Sequence, residues 1–206
     1  MIGADLTLQL VVMRLFSGLI IATMQGFVIA AVAVALGDKG PRYDGRLTPN
    51  PARHVDLLGL GSLMLTGFGW SKFVPVEAAQ LRIGRLGLAV AALAGSLALL
   101  LVGYLLLQLA TPIVTQLPYT AGLTAAAFVR VAARLCVWMA LFTLLPLPPL
   151  AGAHFLGALG VRLPPVAWTI AGWLLLIASV FGVTRMLLTP AYEVLAPMVL
   201  GAEAAR

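Results

Sequence analysis

The run Leu86–Ala110, LGLAVAALAGSLALLLVGYLLLQLA, contains no charged residue and is apolar on every face of the helix it would form. A helix rises about 1.5 Å per residue, so roughly 20 such residues cross a hydrocarbon core of about 30 Å. The run is long enough to span a bilayer. Val166–Leu188 has the same all-round apolar character. A closed barrel would instead show short segments alternating apolar and polar side chains. The rest of the chain agrees: 62% of the 206 residues are hydrophobic and 10% are charged. A water-soluble domain of this size would lack the polar surface to cover itself.

The formal net charge of +6 belongs to a membrane protein whose basic residues collect in cytoplasmic loops beside anionic lipid. No run of basic residues is interleaved with exposed aromatics, so nucleic acid is not an expected partner. The single cysteine, Cys136, lies inside an apolar segment. It excludes an intrachain disulfide and reads as a small packed hydrophobe. The apolar stretch Leu6–Leu36 is far longer than the core of a secretory signal, contains Arg14 and has no basic residue before it. It is expected to stay as the first helix.

The fold class expected is all-α, a bundle of about four to five membrane helices forming one membrane-embedded domain over residues 1–206. Helices are placed at Leu8–Leu36, Leu86–Ala110, Leu123–Leu145 and Val166–Leu188, with a shorter apolar segment at Asp56–Trp70. If the short segment crosses fully, Lys39, Arg42, Arg46 and Arg53 lie on one side and Lys72, Arg82 and Arg85 on the other. If it is tilted or re-entrant, both loops and Arg162 face the cytoplasm and the uncharged Thr111–Ala121 connection faces away. The second arrangement is preferred, and it puts both termini away from the cytoplasm. Gly37–His54, rich in Gly, Pro, Asp and Arg, should form turns and short extended pieces at the membrane surface. Pro146, Pro148 and Pro149 must end the helix before them. Thr189–Ala205 reads as a short surface helix and a tail.

Four stretches in order, Ala35–Asp38 (ALGD) with Gly45–Asp56 (GRLTPNPARHVD), Gly67–Val76 (GFGWSKFVPV), Ala94–Leu97 (AGSL) and Phe142–Gly152 (FTLLPLPPLAG), together resemble the site-2 protease family of intramembrane zinc metallopeptidases, in particular its compact bacterial branch. The resemblance implies a bacterial inner-membrane, multi-pass protein. In that family the helix ending at the LGD stretch carries HExxH, whose histidines share a helix face and grip zinc while the glutamate activates water. Counting back from Asp38, those places hold Gln25, Gly26 and Ile29. The family's third ligand, an aspartate in a pattern of the form NLLPxPPLDG, corresponds to Ala151, and its asparagine to Thr143. Ser96 stands where the family's AGP has proline. None of these side chains can bind zinc or accept a proton from zinc-bound water as the family's residues do. The resemblance therefore implies a pseudopeptidase without catalytic residues, metal or other cofactor. Its expected role is that of an accessory, assembly or scaffold subunit that holds transmembrane segments of other membrane proteins. The alternative is a peptidase with a rebuilt metal site drawn from His54, His154, Asp38, Asp44 and Asp56. Otherwise His54 bonds within its loop and His154 caps the broken helix.

Arg14, Arg130, Arg134 and Arg185 lie in or near apolar segments that contain no acidic residue. Arg185, near a helix end, is expected to snorkel to lipid phosphate. Arg130 and Arg134 share a helix face and mark an interfacial stretch, an anionic-lipid site or contacts to a partner's acidic residues. Arg14 joins them as a candidate partner or lipid contact. Gly95, Gly103 and Gly122 would let helices approach closely. Trp70, Trp138, Trp168 and Trp173 read as interface anchors or core residues.

Overall fold

The computed structural model describes residues 6–161 and 163–202. Arg162, read above as facing the cytoplasm, and residues 203–206 lie outside them. Among the described residues the chain is all-α, with nine helices and no strand. Helix α1 (Leu8–Ala35) starts where the Thr7 hydroxyl accepts the Leu10 N–H at 3.2 Å, satisfying one of the donors a helix start leaves open. The Gly37–His54 loop contains the single-turn α2 (Gly40–Tyr43) and a 3-10 turn at Pro51–Arg53. Helix α3 (Leu57–Thr66) is capped by Asp56, which accepts the Gly59 N–H at 2.8 Å. Its ten residues extend about 15 Å, half of a hydrocarbon core.

The long helices are α4 (Leu86–Gln108), which continues into α5 (Ala110–Gln116), and α6 (Tyr119–Thr143). Their length and apolar composition, like those of α1, suffice to cross a membrane. Lipid tails are as apolar as leucine, so such helices associate through close packing and buried hydrogen bonds. Helix α4 sits between its neighbours by way of two glycines. Gly95 faces Ile29 and Gln25 of α1, and Gly103 faces Ala133 and Cys136 of α6. Phe68, Phe142, Ile21, Leu99, Met139 and Leu150 fill the core.

Two expectations from the sequence need correction. Val166–Leu188 is not one helix: α8 (Pro165–Val180) and α9 (Val183–Leu200) meet at an angle of 75°. The corner is Gly182, whose φ of +76° only glycine adopts without strain. The Ser179 and Thr184 hydroxyls bond across it at 3.0 Å. Thr189–Leu200 is not a separate surface helix but the remainder of α9, and Tyr192, Ala196 and Leu200 are buried against Ala133 and Val137 of α6. Tyr192 stacks on Trp138 with ring centroids 3.9 Å apart. The Thr111–Ala121 connection is largely helical, supplying α5 and the first turn of α6.

Candidate functional site

Gln25 is a polar residue in the middle of an apolar helix, and it is fully buried. Its Nε2 donates to the Thr143 hydroxyl at 2.7 Å, and its Oε1 accepts from the Ser71 hydroxyl at 3.1 Å. The Thr143 hydroxyl spends its own proton on the Met139 carbonyl at 2.7 Å, so it can only accept from Gln25. The two assignments support each other. Thus α1, α6 and the extended segment after α3 are joined by a chain of hydrogen bonds at the first of the positions read as degenerate. Ile29, one turn further along α1, and Ala151, just past the prolines, fall in one apolar cluster with Ala30, Val74 and Ala91. Ile29 and Ala151 thus pack in one cluster, while Gln25, one turn before Ile29, bonds to the last residue of α6.

Gly26 has a different neighbour. A Cβ built there would overlap His54 Nδ1, so the imidazole fills the space a side chain at position 26 would need. His54 was expected in a surface loop, but it has no exposed surface. The loop doubles back toward mid-helix, held where the Lys72 N–H donates to the His54 carbonyl at 2.6 Å. The ring does bond within its loop, Nε2 lying 2.8 Å from the Thr48 carbonyl, while Nδ1 has no partner. Burial pushes this imidazole below the usual histidine range. The Thr48 carbonyl opposes that shift and the Arg46 cation adds to it.

His154 opens α7 (Ala153–Ala158). Its Nδ1 lies 2.8 Å from the Ala151 carbonyl and its Nε2 lies 3.1 Å from the Val74 carbonyl. The ring stacks on Phe73 at 4.5 Å. A neutral imidazole can donate to only one of these oxygens at a time. Burial lowers its basicity, and the two carbonyls work in the opposite direction. Beside it a cavity of about 360 Å³ opens between α4, α7 and α8, lined mainly by apolar side chains including Phe73, Leu88, Leu156 and Trp168.

These residues do not fit zinc. Structural and catalytic zinc sites need three or four His, Cys, Asp or Glu ligands, and among the described residues no three of these converge. Asp38 receives the N–H groups of Gly40 and Glu77 at 2.8 and 2.7 Å. Asp56 is the cap of α3.

The arginines divide by surroundings. Arg14 donates to the Met64 and Leu65 carbonyls at 3.1 and 3.0 Å, satisfying the open end of α3 from within the chain. Arg185 is exposed and lies 5.4 Å from the Trp138 ring centroid and 5.8 Å from that of Phe68. Aromatic faces attract a cation and suit a weakly hydrated guanidinium. Arg130 and Arg134 are both exposed on α6. Nothing in the composition could have paired Gln25 with Thr143 or set His54 against Gly26.

Apolar helices of spanning length around a buried polar centre define a helical membrane protein. No family model matches the chain, and no solved structure matches it. A protein of Bacillus subtilis (strain 168) with the name "Putative zinc metalloprotease YwhC" is 34% identical over 148 residues, which cover 68% of this chain and 67% of that protein. The chain belongs to this zinc metalloprotease-like family.

Proposed function

We propose that the chain is a catalytically inactive member of the site-2 type, residing in a bacterial inner membrane as a multi-pass protein. It keeps the peptidase frame and uses it to hold transmembrane segments of other membrane proteins, as an accessory, assembly or scaffold subunit, with no metal or other cofactor. The observation that carries this reading is the condition of the centre itself. The polar groups of Gln25 and Thr143 are engaged with each other and with Ser71 and Met139, while Ile29 and Ala151 are packed in an apolar cluster. The apolar cavity beside His154 supports the client-binding part, since grooves of this kind accept the apolar face of a helix.

The test is metal content and cleavage in the same sample. Protein purified from its own membrane in mild detergent should contain no stoichiometric zinc by inductively coupled plasma mass spectrometry. It should leave a transmembrane peptide intact, and a membrane protein should co-purify with it. Stoichiometric zinc together with cleavage, both abolished by His54→Ala, would overturn the proposal. That result would establish the second reading, a peptidase with a rebuilt site. One observation favours that alternative: His54 Nδ1 is buried and unpartnered beside the place of the family's glutamate.

A further inference from the structure

We propose that Arg14 and Arg185 together bind the phosphate of an anionic membrane lipid at the tip of α3. Arg14 reaches from α1 to the Met64 and Leu65 carbonyls near the end of α3, and Arg185 reaches from the first turn of α9 across the rings of Trp138 and Phe68. A Cβ built on Gly67, the residue that ends α3, would lie 3.6 Å from Arg14 Nη2 and 3.8 Å from Arg185 Nη2. The two nitrogens are thus separated by no more than the sum of those distances. Charge-assisted hydrogen bonds of about 2.8 Å let one phosphate group span that separation, with a different oxygen on each arginine. Donors are available on both. Arg14 uses Nη1 for the two carbonyls, and its Nη2 has no acceptor among the described residues; Arg185 meets only aromatic faces there. Neither forms an ion pair among the described residues. Like charges this close repel each other, and an anion between them replaces the repulsion with attraction. The carbonyls hold Arg14 and the rings hold Arg185 beforehand, so an arriving phosphate has little to order. Planar guanidinium groups also match phosphate oxygens in geometry.

Depth supports a lipid source. Residues 15–35, the part of α1 that follows Arg14, contain no charged residue and extend about 30 Å, the thickness of a hydrocarbon core. Asp38 and Lys39 stand just past the far end. Arg14 therefore lies at the opposite headgroup level. Helix α3 runs antiparallel to α1, since Gly18 faces Leu60 and Leu63 while Arg14 holds Met64 and Leu65. Its C-terminal end reaches the same level. Helix α8 passes Leu58 at Gly172 and leads through Gly182 to Arg185 beside Gly67, so it climbs alongside α3. Ile170, Leu174 and Ile177 of α8 are exposed and share one helix face, which leads from the arginines back into the hydrocarbon. A headgroup phosphate between the arginines would have this apolar face for its acyl chains, whereas a free phosphate ion would gain nothing from it. The assignment is independent of whether the chain holds clients.

The experiment is native mass spectrometry of the whole chain in mild detergent, titrated with phosphatidylglycerol or phosphatidylcholine. Phosphatidylglycerol should bind more tightly. In Arg185→Gln its binding should weaken about fivefold, and in Arg14→Gln/Arg185→Gln roughly thirtyfold, each cation near an anionic headgroup contributing on the order of fivefold. Arg185→Gln leaves the hold of Arg14 on α3 intact, so it tests the site in a folded chain, and Arg185→Lys should recover part of the loss. Arg82→Gln, at the far end of α1 where the Arg82 N–H donates to the Leu36 carbonyl, should bind as the parent does. Unchanged binding of phosphatidylglycerol in Arg185→Gln would overturn the assignment, and so would an equal loss in Arg82→Gln. Displacement of the lipid by an equal concentration of inorganic phosphate would overturn the lipid source in favour of a free anion. An acidic protein released by Arg185→Gln while lipid binding is unchanged would replace the lipid with a protein partner.

Discussion

Gly26→Ala adds one methyl group where the His54 ring stands, and overpacking of this kind costs about 1–3 kcal/mol. His54→Ala should remove most of that penalty, so a double-mutant cycle on thermal stability in detergent should show strong favourable coupling; additive effects would contradict the contact. Gln25→Ala strands the Ser71 hydroxyl and leaves the Thr143 oxygen without its donor, a loss of about 1–3 kcal/mol. It should appear as a lower unfolding midpoint that Thr143→Val in the same chain does not deepen in proportion. His154 gives a pH dependence whose sign follows from its lowered basicity. Below about pH 6.5 the unfolded chain takes up a proton that the folded ring resists, so stability falls as pH falls. Midpoints measured between about pH 7 and 5 should decline, and His154→Asn should lessen the decline, leaving the part that His54, also of lowered basicity, contributes. Gln25 and Thr143 are 118 positions apart, and no local pattern signals such a pairing. The offsets of Gln25, Gly26, Ile29 and Ala151 from Asp38 and the prolines could be counted from the sequence.

Hydropathy located α1, α4 and α6 because an apolar run long enough to cross a bilayer is a property of sequence alone. It missed the corner between α8 and α9. Apolar content does not change across Val180–Val183, whereas the turn depends on one residue with positive φ. Gly182→Val should therefore be costly, by about 1–2 kcal/mol for the left-handed backbone, and should loosen α9 from α6. Loss of the Trp138–Tyr192 stack would register as a shift in tryptophan emission; an unchanged spectrum and midpoint would mean that the corner is set elsewhere. Pro190 and Pro197 both lie within α9. Packing of Tyr192, Ala196 and Leu200 on α6 offsets the hydrogen bonds that proline cannot donate.

At the scale of the molecule, the arrangement of helices predicts which segments reach water. Thr115→Cys, on α5, should react with a membrane-impermeant maleimide added to whole cells if that connection faces away from the cytoplasm. Cys136, which is buried, should not. Labelling of Thr115→Cys only after the cells are opened would reverse the orientation inferred from charge. The half-length of α3 was legible from its short apolar run, and so was its ambiguity, since length alone does not say how deep a helix sits. The loop that carries His54 inward was not legible, because its Gly- and Pro-rich composition describes a surface turn equally well.

The interlock of Gly26 with His54 also governs which neighbouring sequences this chain can reach by single changes. Installing a glutamate at position 26 first collides with the ring, and removing the ring first leaves a hole with nothing to fill it. Each of these two steps toward an HExxH pattern is penalised before Gln25, Ile29 or Ala151 has changed. A mutational walk toward metal binding thus begins uphill in both directions, and the packing of one histidine acts as a ratchet.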